Sequence, residues 1–66
     1  MDKEKIGKIL VELRGERSQK EVSDAVGISD SALSMYENGD RIPRDTIKVR
    51  IAEYYNKTVG EIFFAQ

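Results

Sequence analysis

Gly15, Gly27 and Gly39 each close a stretch whose apolar residues recur at helical spacing, so this chain reads as short helices separated by tight turns. From Glu4 to Arg14, the residues Ile6, Ile9, Leu10 and Leu13 follow the i, i+3, i+4, i+7 pattern of one helical face, and Gly15 ends that helix. Ser18-Gln19-Lys20-Glu21 reads as a capping box opening a second helix that buries Val22, Ala25 and Val26. Gly27 supplies a left-handed turn, Ile28 points inward and Ser29 caps a third helix, from about Asp30 to Glu37, with Leu33 and Tyr36 on its inner face. Asn38-Gly39 ends it. After the loop Asp40-Arg41-Ile42-Pro43, with Pro43 at or just before the start of helix four, Ile47, Val49, Ile51, Ala52 and Tyr55 form a broader apolar stripe. Thr58-Val59-Gly60-Glu61 is a second capping box, opening a short fifth helix that ends in Ile62-Phe63-Phe64. No β pattern, repeat, linker or low-complexity tract interrupts this series. The expectation is an all-α fold, five short helices around one core, with residues 1–66 as one domain.

A chain of 66 residues buries only about 60% of the surface its unfolded form exposes, so its stability is marginal. It has no cysteine and no histidine, which removes disulfide staples, thiolate zinc sites and imidazole catalysis together. No metal or cofactor is expected. An enzyme is the least favoured class, because no nucleophile-and-base pairing, ligand cluster or phosphate loop is present and so short a chain leaves little room for a pocket. No apolar run approaches the roughly 18 residues of a membrane span, and Met1-Asp2-Lys3-Glu4-Lys5 lacks the apolar continuation of a signal peptide, so a cytoplasmic location is expected. Eleven basic against 12 acidic residues argue weakly against indiscriminate attraction to nucleic acid. Their distribution is more informative: Lys3, Lys5 and Lys8 lie near the start, three basic residues fall between Arg14 and Lys20, and Arg41 and Arg44 flank Ile42-Pro43.

Helices two and three with the bend at Gly27, about residues 18–38, form a helix-turn-helix, a unit whose second helix presents its N-terminal half to the DNA major groove. Leu33 and Tyr36 hold that helix from inside, leaving Ser29, Asp30, Ser31, Ser34 and Met35 for the outer and end positions. Short side chains there let the helix backbone sit deep in a groove.

The chain resembles the phage-repressor-like helix-turn-helix family, the XRE group that includes Cro and the lambda repressor. The likeness spans nearly the full length: Gly7 to Arg14, Ser18-Gln19, Val22, Ala25, Gly27-Ile28-Ser29, Leu33, Tyr36-Glu37-Asn38-Gly39, Pro43, Ile51-Ala52, Thr58-Val59 and Glu61-Ile62-Phe63. One departure is the join from Leu13 to Gln19, which is shorter than usual in the family. The resemblance implies a compact five-helix, lambda-repressor-like DNA-binding domain and assigns roles within it. Gln19 matches a position that contacts a DNA phosphate, as helix N-terminal amides also favour. Ser29, Asp30, Ser31 and Met35 match positions that reach base edges, with Ser34 beside them. Asn38, Arg41 and Arg44 fall in the loop that grips the backbone. Arg14 and Glu37 match a pair that forms a salt bridge orienting the recognition helix.

Each assignment has a plainer counterpart. Asp30 accepts from a cytosine amino group in one reading and steadies the first helical turn in the other, with equal weight. Ser29 is safer as a cap than as a base reader, and its hydroxyl also suits a phosphate. Ser31 and Ser34 bond to several bases and discriminate poorly alone. Met35 suits a thymine methyl or an ordinary packing gap equally well. For Arg41 and Arg44, phosphate contact is favoured over a solvated loop charge, and for Arg14 with Glu37, pairing over exposure. Arg17, Ser18 and Lys20 are weaker phosphate candidates, with neutralisation of Glu16 or Glu21 the alternative for Arg17.

Tyr54, Tyr55, Phe63 and Phe64 put four of the five aromatic residues within positions 54–66. Adjacent aromatics on a helix cannot all face inward, so at least one of Tyr54 and Phe64 is expected on the surface. Tyr54, Phe63 and Phe64 are the candidate edge of a two-fold homodimer, which would place two recognition helices about 34 Å apart on an inverted repeat. The leading expectation is therefore a regulator of transcription, a repressor by preference, that binds an inverted-repeat operator in double-stranded DNA as a homodimer. The resemblance makes a phage or other mobile element a reasonable origin. The alternative is a protein-interaction module of the same fold, an antitoxin or an adaptor for an antirepressor. Net charge −1, Asp30 and the apolar C-terminal segment support it. The lack of an added toxin-binding tail counts against it.

Overall fold

The chain turns helical at Asp2, whose carboxylate accepts the amides of Glu4 at 3.0 Å and Lys5 at 3.1 Å. In the computed structural model, which describes residues 1–64, five helices follow: α1 (Lys3–Arg14), α2 (Gln19–Val26), α3 (Asp30–Glu37), α4 (Asp45–Tyr54) and α5 (Val59–Phe63). No strand occurs among the described residues, so the fold is all-α.

Local chemistry accounts for the boundaries. Ser18 Oγ accepts the Glu21 amide at 3.0 Å, but the Glu21 side chain returns no bond, so the expected box on α2 is half formed. One hydroxyl cap and an acid in the first turn suffice there. On α5 the box is complete, Glu61 N donating to Thr58 Oγ1 at 3.0 Å and Thr58 N to Glu61 Oε1 at 2.9 Å. The Thr58 amide holds the Glu61 carboxyl below its usual range.

Every helix contributes to one core: Ile6 and Leu10 of α1, Val22 and Val26 of α2, Leu33 and Tyr36 of α3, Ile51 and Ala52 of α4, Ile62 and Phe63 of α5. Two residues expected inside lie outside. Ala25 is exposed, at the rim of an open groove of about 400 Å³ that it lines with Val26, Arg50, Glu53 and Tyr54. Val49 is 47% exposed because the inner face of α4 runs through Ile47, Lys48, Ile51 and Ala52, and a helix places position 49 nearly opposite position 47. Lys48 takes the inward place. Its stem is buried while its ammonium meets Asp45 Oδ1 at 3.2 Å and lies 5.5 Å from the Phe64 ring centre.

The helices cross as a closed set, α1 against α3 and α5, α2 against α3 and α4, and α4 against α5. Helices α1 and α3 approach closely at Gly7, where a Cβ would stand 2.5 Å from the Glu37 carbonyl oxygen. Only glycine lets α1 approach α3 that closely. No described helix is long and apolar enough to cross a membrane.

Candidate nucleic-acid interface

The bend between α2 and α3 is made by backbone bonds and two small residues. Gly27 (φ 85°, ψ 36°) is left-handed, and the Gly27 and Ile28 amides both donate to the Ser23 carbonyl, at 2.8 and 3.0 Å. Ser29 Oγ then accepts the Ala32 amide at 3.0 Å and starts α3, so its oxygen serves as a helix cap. Leu33 and Tyr36 are buried, and this rolls α3 so that Asp30, Ser31 and Asn38 are exposed and Ser34 and Met35 half-buried. The outward surface carries no side chain larger than methionine. Asp30 is not free at this surface, because Ser23 Oγ, fully buried in α2, donates to its Oδ1.

The far end of α3 is tied to two other helices through Glu37. Its side chain is buried, with Oε2 accepting Arg14 Nε at 2.8 Å and Oε1 accepting Gln19 Nε2 at 2.7 Å. Arg14 Nη1 also donates to the Arg17 carbonyl at 2.7 Å, bracing the short join before α2. Gln19 thus has a structural role that spacing gave no hint of, and its amide retains a second proton at the N-terminus of α2.

The basic residues divide into three groups. Arg17, a phosphate candidate, donates to the Leu13 carbonyl at 3.1 Å and lays its guanidinium 5.6 Å from the Tyr54 ring and 5.7 Å from the Tyr55 ring. It pairs with neither Glu16 nor Glu21. Cation–π attraction and a helix-end carbonyl outcompete pairing with either glutamate. Lys20 bonds Asp24 across one turn at 3.1 Å with both side chains largely exposed; that hydrogen bond and Asp24's charge raise its pKa. Arg41 and Arg44 are exposed, and neither side chain has a hydrogen-bond or ion-pair partner among the described residues. Arg44 stands at the N-cap of α4, where no side chain caps the helix, so open amides lie beside its charge. Asn38 closes α3 and donates to Ser34 Oγ at 3.4 Å, and Ser18 keeps its own hydroxyl proton besides the bond it accepts.

The C-terminal aromatics separate cleanly. Phe63 was expected on an exposed edge and is fully buried, since α5 is too short to anchor itself without a large core side chain. Tyr54 is half-buried and packs edge-on against Tyr55, ring centres 5.0 Å apart. Phe64 is 60% exposed.

Sequence reasoning missed Ser23, Lys48, the close approach at Gly7 and the bond from Gln19 to Glu37. Ser23 had a usable signal, since it lies three residues before Val26 on the inner face of α2. The other three depend on residues distant in the chain.

The helix-turn-helix family model matches residues 10–62, from the middle of α1 into α5. No curated protein and no solved structure matches the chain significantly. A match across most of the chain coincides with the glycine bend, the serine-capped second helix and the buried partners that hold it; the chain belongs to the XRE, Cro-type helix-turn-helix family of DNA-binding transcription regulators.

Proposed function

We propose that this regulator is a repressor that binds an inverted-repeat operator as a homodimer, with α3 of each copy in the major groove. The observation that carries the reading is the outward face of α3, where Asp30, Ser31 and Ser34 present short side chains beside the flexible Met35 on a helix fixed at both ends. Ser29 opens this face as a cap whose hydroxyl proton is left for a phosphate. Arg41, Arg44, Asn38 and Ser18 flank it as backbone contacts, and Gln19 joins them through its second amide proton. Lys20 belongs to this set as well, because an exposed pair with Asp24 contributes little and exchanges readily for a phosphate.

The exposed Phe64 ring supports pairing of two copies, with Tyr54 as a second aromatic edge. Occupancy of a duplex site by such a dimer excludes other proteins from the same base pairs, which is the physical basis for preferring repression. The test is selection of bound sequences from a random duplex pool at physiological salt. Enrichment of an inverted repeat with half-site centres about one helical turn, roughly 34 Å, apart supports the reading. A folded protein that enriches no sequence defeats it, and the Phe64 edge then becomes the surface on which to seek a protein partner.

A further inference from the structure

Within the α2–α3 unit, Ser23 carries a fully buried hydroxyl to which DNA binding by the exposed face assigns no task. Its Oγ lies 3.2 Å from the Lys20 carbonyl and within reach of Asp30 Oδ1. A hydroxyl has one proton, and a carboxylate is the stronger acceptor, so the proton goes to Asp30. The bond crosses the turn, from the inner face of α2 to the first residue of α3. Asp30 itself is exposed, and its Oδ2 has no hydrogen-bond partner among the described residues, although the carboxylate feels the charge of Lys20.

A lone aspartate at the start of a helix rotates among several rotamers and also turns back toward amides of its own first turn. With Oδ1 held from below, that freedom is lost and Oδ2 has one direction. We propose that Ser23 is a positioning residue for sequence recognition, fixing Asp30 as an oriented acceptor for the exocyclic amine of a cytosine in the major groove. This rests on the reading that α3 enters that groove.

The electrostatics give the arrangement its discriminating power. A carboxylate approaching DNA is repelled by the phosphates whatever the sequence, and only an amine donor in the right place offsets that repulsion. Cytosine offers one; adenine's amine sits beside the N7 acceptor, and guanine and thymine present acceptors at that edge. A carboxylate free to swing aside would escape the penalty at wrong sites and lose selectivity. The clamp prevents the escape.

The test compares the parent protein with Ser23→Ala and Asp30→Ala in duplex-pool selection, with melting curves on each. The parent is expected to select cytosine at one position per half-site by about tenfold or more. Ser23→Ala should reduce that preference to about threefold or less while leaving the other positions and the salt dependence of binding unchanged. Asp30→Ala should abolish it. A purely structural role for Ser23 predicts instead equal weakening on all sequences with the base preference intact, and that result overturns the inference. Asp30→Ala with every preference preserved overturns it too. Should Ser23→Ala melt below the assay temperature, Ser23→Cys, of similar shape but a weak donor, makes the same comparison. Absence of any enriched site with the parent protein overturns the groove reading and this inference together, whereas an enriched site read identically by the Ser23 variant overturns this inference alone.

Discussion

Arg14 and Glu37 lie 23 positions apart in the chain and meet at 2.8 Å, Nε donating to Oε2. The pair is asymmetric, the arginine side chain 21% exposed and the glutamate 2%. The carboxylate has lost its water and depends on Arg14 and Gln19 for both oxygens. Removing one partner therefore leaves a charge that solvent does not reach.

Arg14→Ala is expected to cost about 3 kcal/mol of stability in urea unfolding, the range for breaking a buried ion pair from one side. Glu37→Gln, which keeps the shape and removes the charge, should cost less. A loss below about 0.5 kcal/mol for Arg14→Ala would show that water replaces the arginine, as at an exposed pair.

Gly7 and Gly60 should respond to alanine with opposite signs. A Cβ at Gly7 would stand 2.5 Å from the Glu37 carbonyl oxygen, forcing α1 and α3 apart, so Gly7→Ala should destabilise by about 2 kcal/mol despite alanine's better helix propensity. At Gly60 the nearest atom is Thr58 Oγ1 at 3.8 Å, and Gly60→Ala should stabilise by about 0.5 kcal/mol. Thermal melts of the two variants check both signs.

The Tyr55 hydroxyl is buried and has no hydrogen-bond partner among the described residues. Burial, aided by the charge of Glu37, pushes its pKa up to about 12 from 10.0. The folded state thus holds the proton more tightly than the unfolded chain. Its contribution to stability is complete below pH about 10 and is lost as pH rises towards about 12. In Tyr55→Phe, urea midpoints should lose the part of the alkaline decline that this group causes, and at neutral pH the variant should be as stable as the parent or more so by up to about 1 kcal/mol. A variant less stable by more than about 1 kcal/mol at neutral pH would mean that the hydroxyl has a partner.

Phe63 and Phe64 are neighbours with different expected consequences. Phe63→Ala removes a fully buried ring and should cost about 3 kcal/mol or more, whereas Phe64→Ala, on the surface, should alter monomer stability by less than about 1 kcal/mol. In sedimentation, Phe64→Ala should weaken self-association. An unchanged monomer–dimer equilibrium removes this ring from the proposed interface.

Arg41→Ala and Arg44→Ala should each weaken binding on every duplex by a similar factor and reduce the salt slope by about one for each phosphate left without its cation. A change in the preferred sequence would move the arginine from the backbone to a base. Thermal stability should be unaffected, because neither side chain has a hydrogen-bond or ion-pair partner among the described residues.

Apolar spacing, serine and threonine caps and the glycine stops were sufficient to read the five helices, because each depends on residues within about one turn of one another. The same local rules made the bend at Gly27 and the serine-capped α3 legible. They failed where inside and outside are settled by a neighbour: Val49 turned out and Lys48 in, Ala25 at a groove rim and Phe63 in the core. Burial belongs to a pair of packed surfaces, and one strand of letters shows only one of them.

What the sequence determined by itself is the set of helices, the caps and glycine stops of most of them, and the identity of the helix that carries the polar face. Only the tertiary structure decided which polar groups are committed inside the molecule. Arg17 lies over Tyr54 and Tyr55, Gln19 joins the Arg14–Glu37 pair that the family resemblance implies, and Ser23 holds Asp30. The physical reason is that hydrogen bonds and charges act over a few ångströms, and the partners of Glu37 are brought within that range only when α1 and α2 pack against α3.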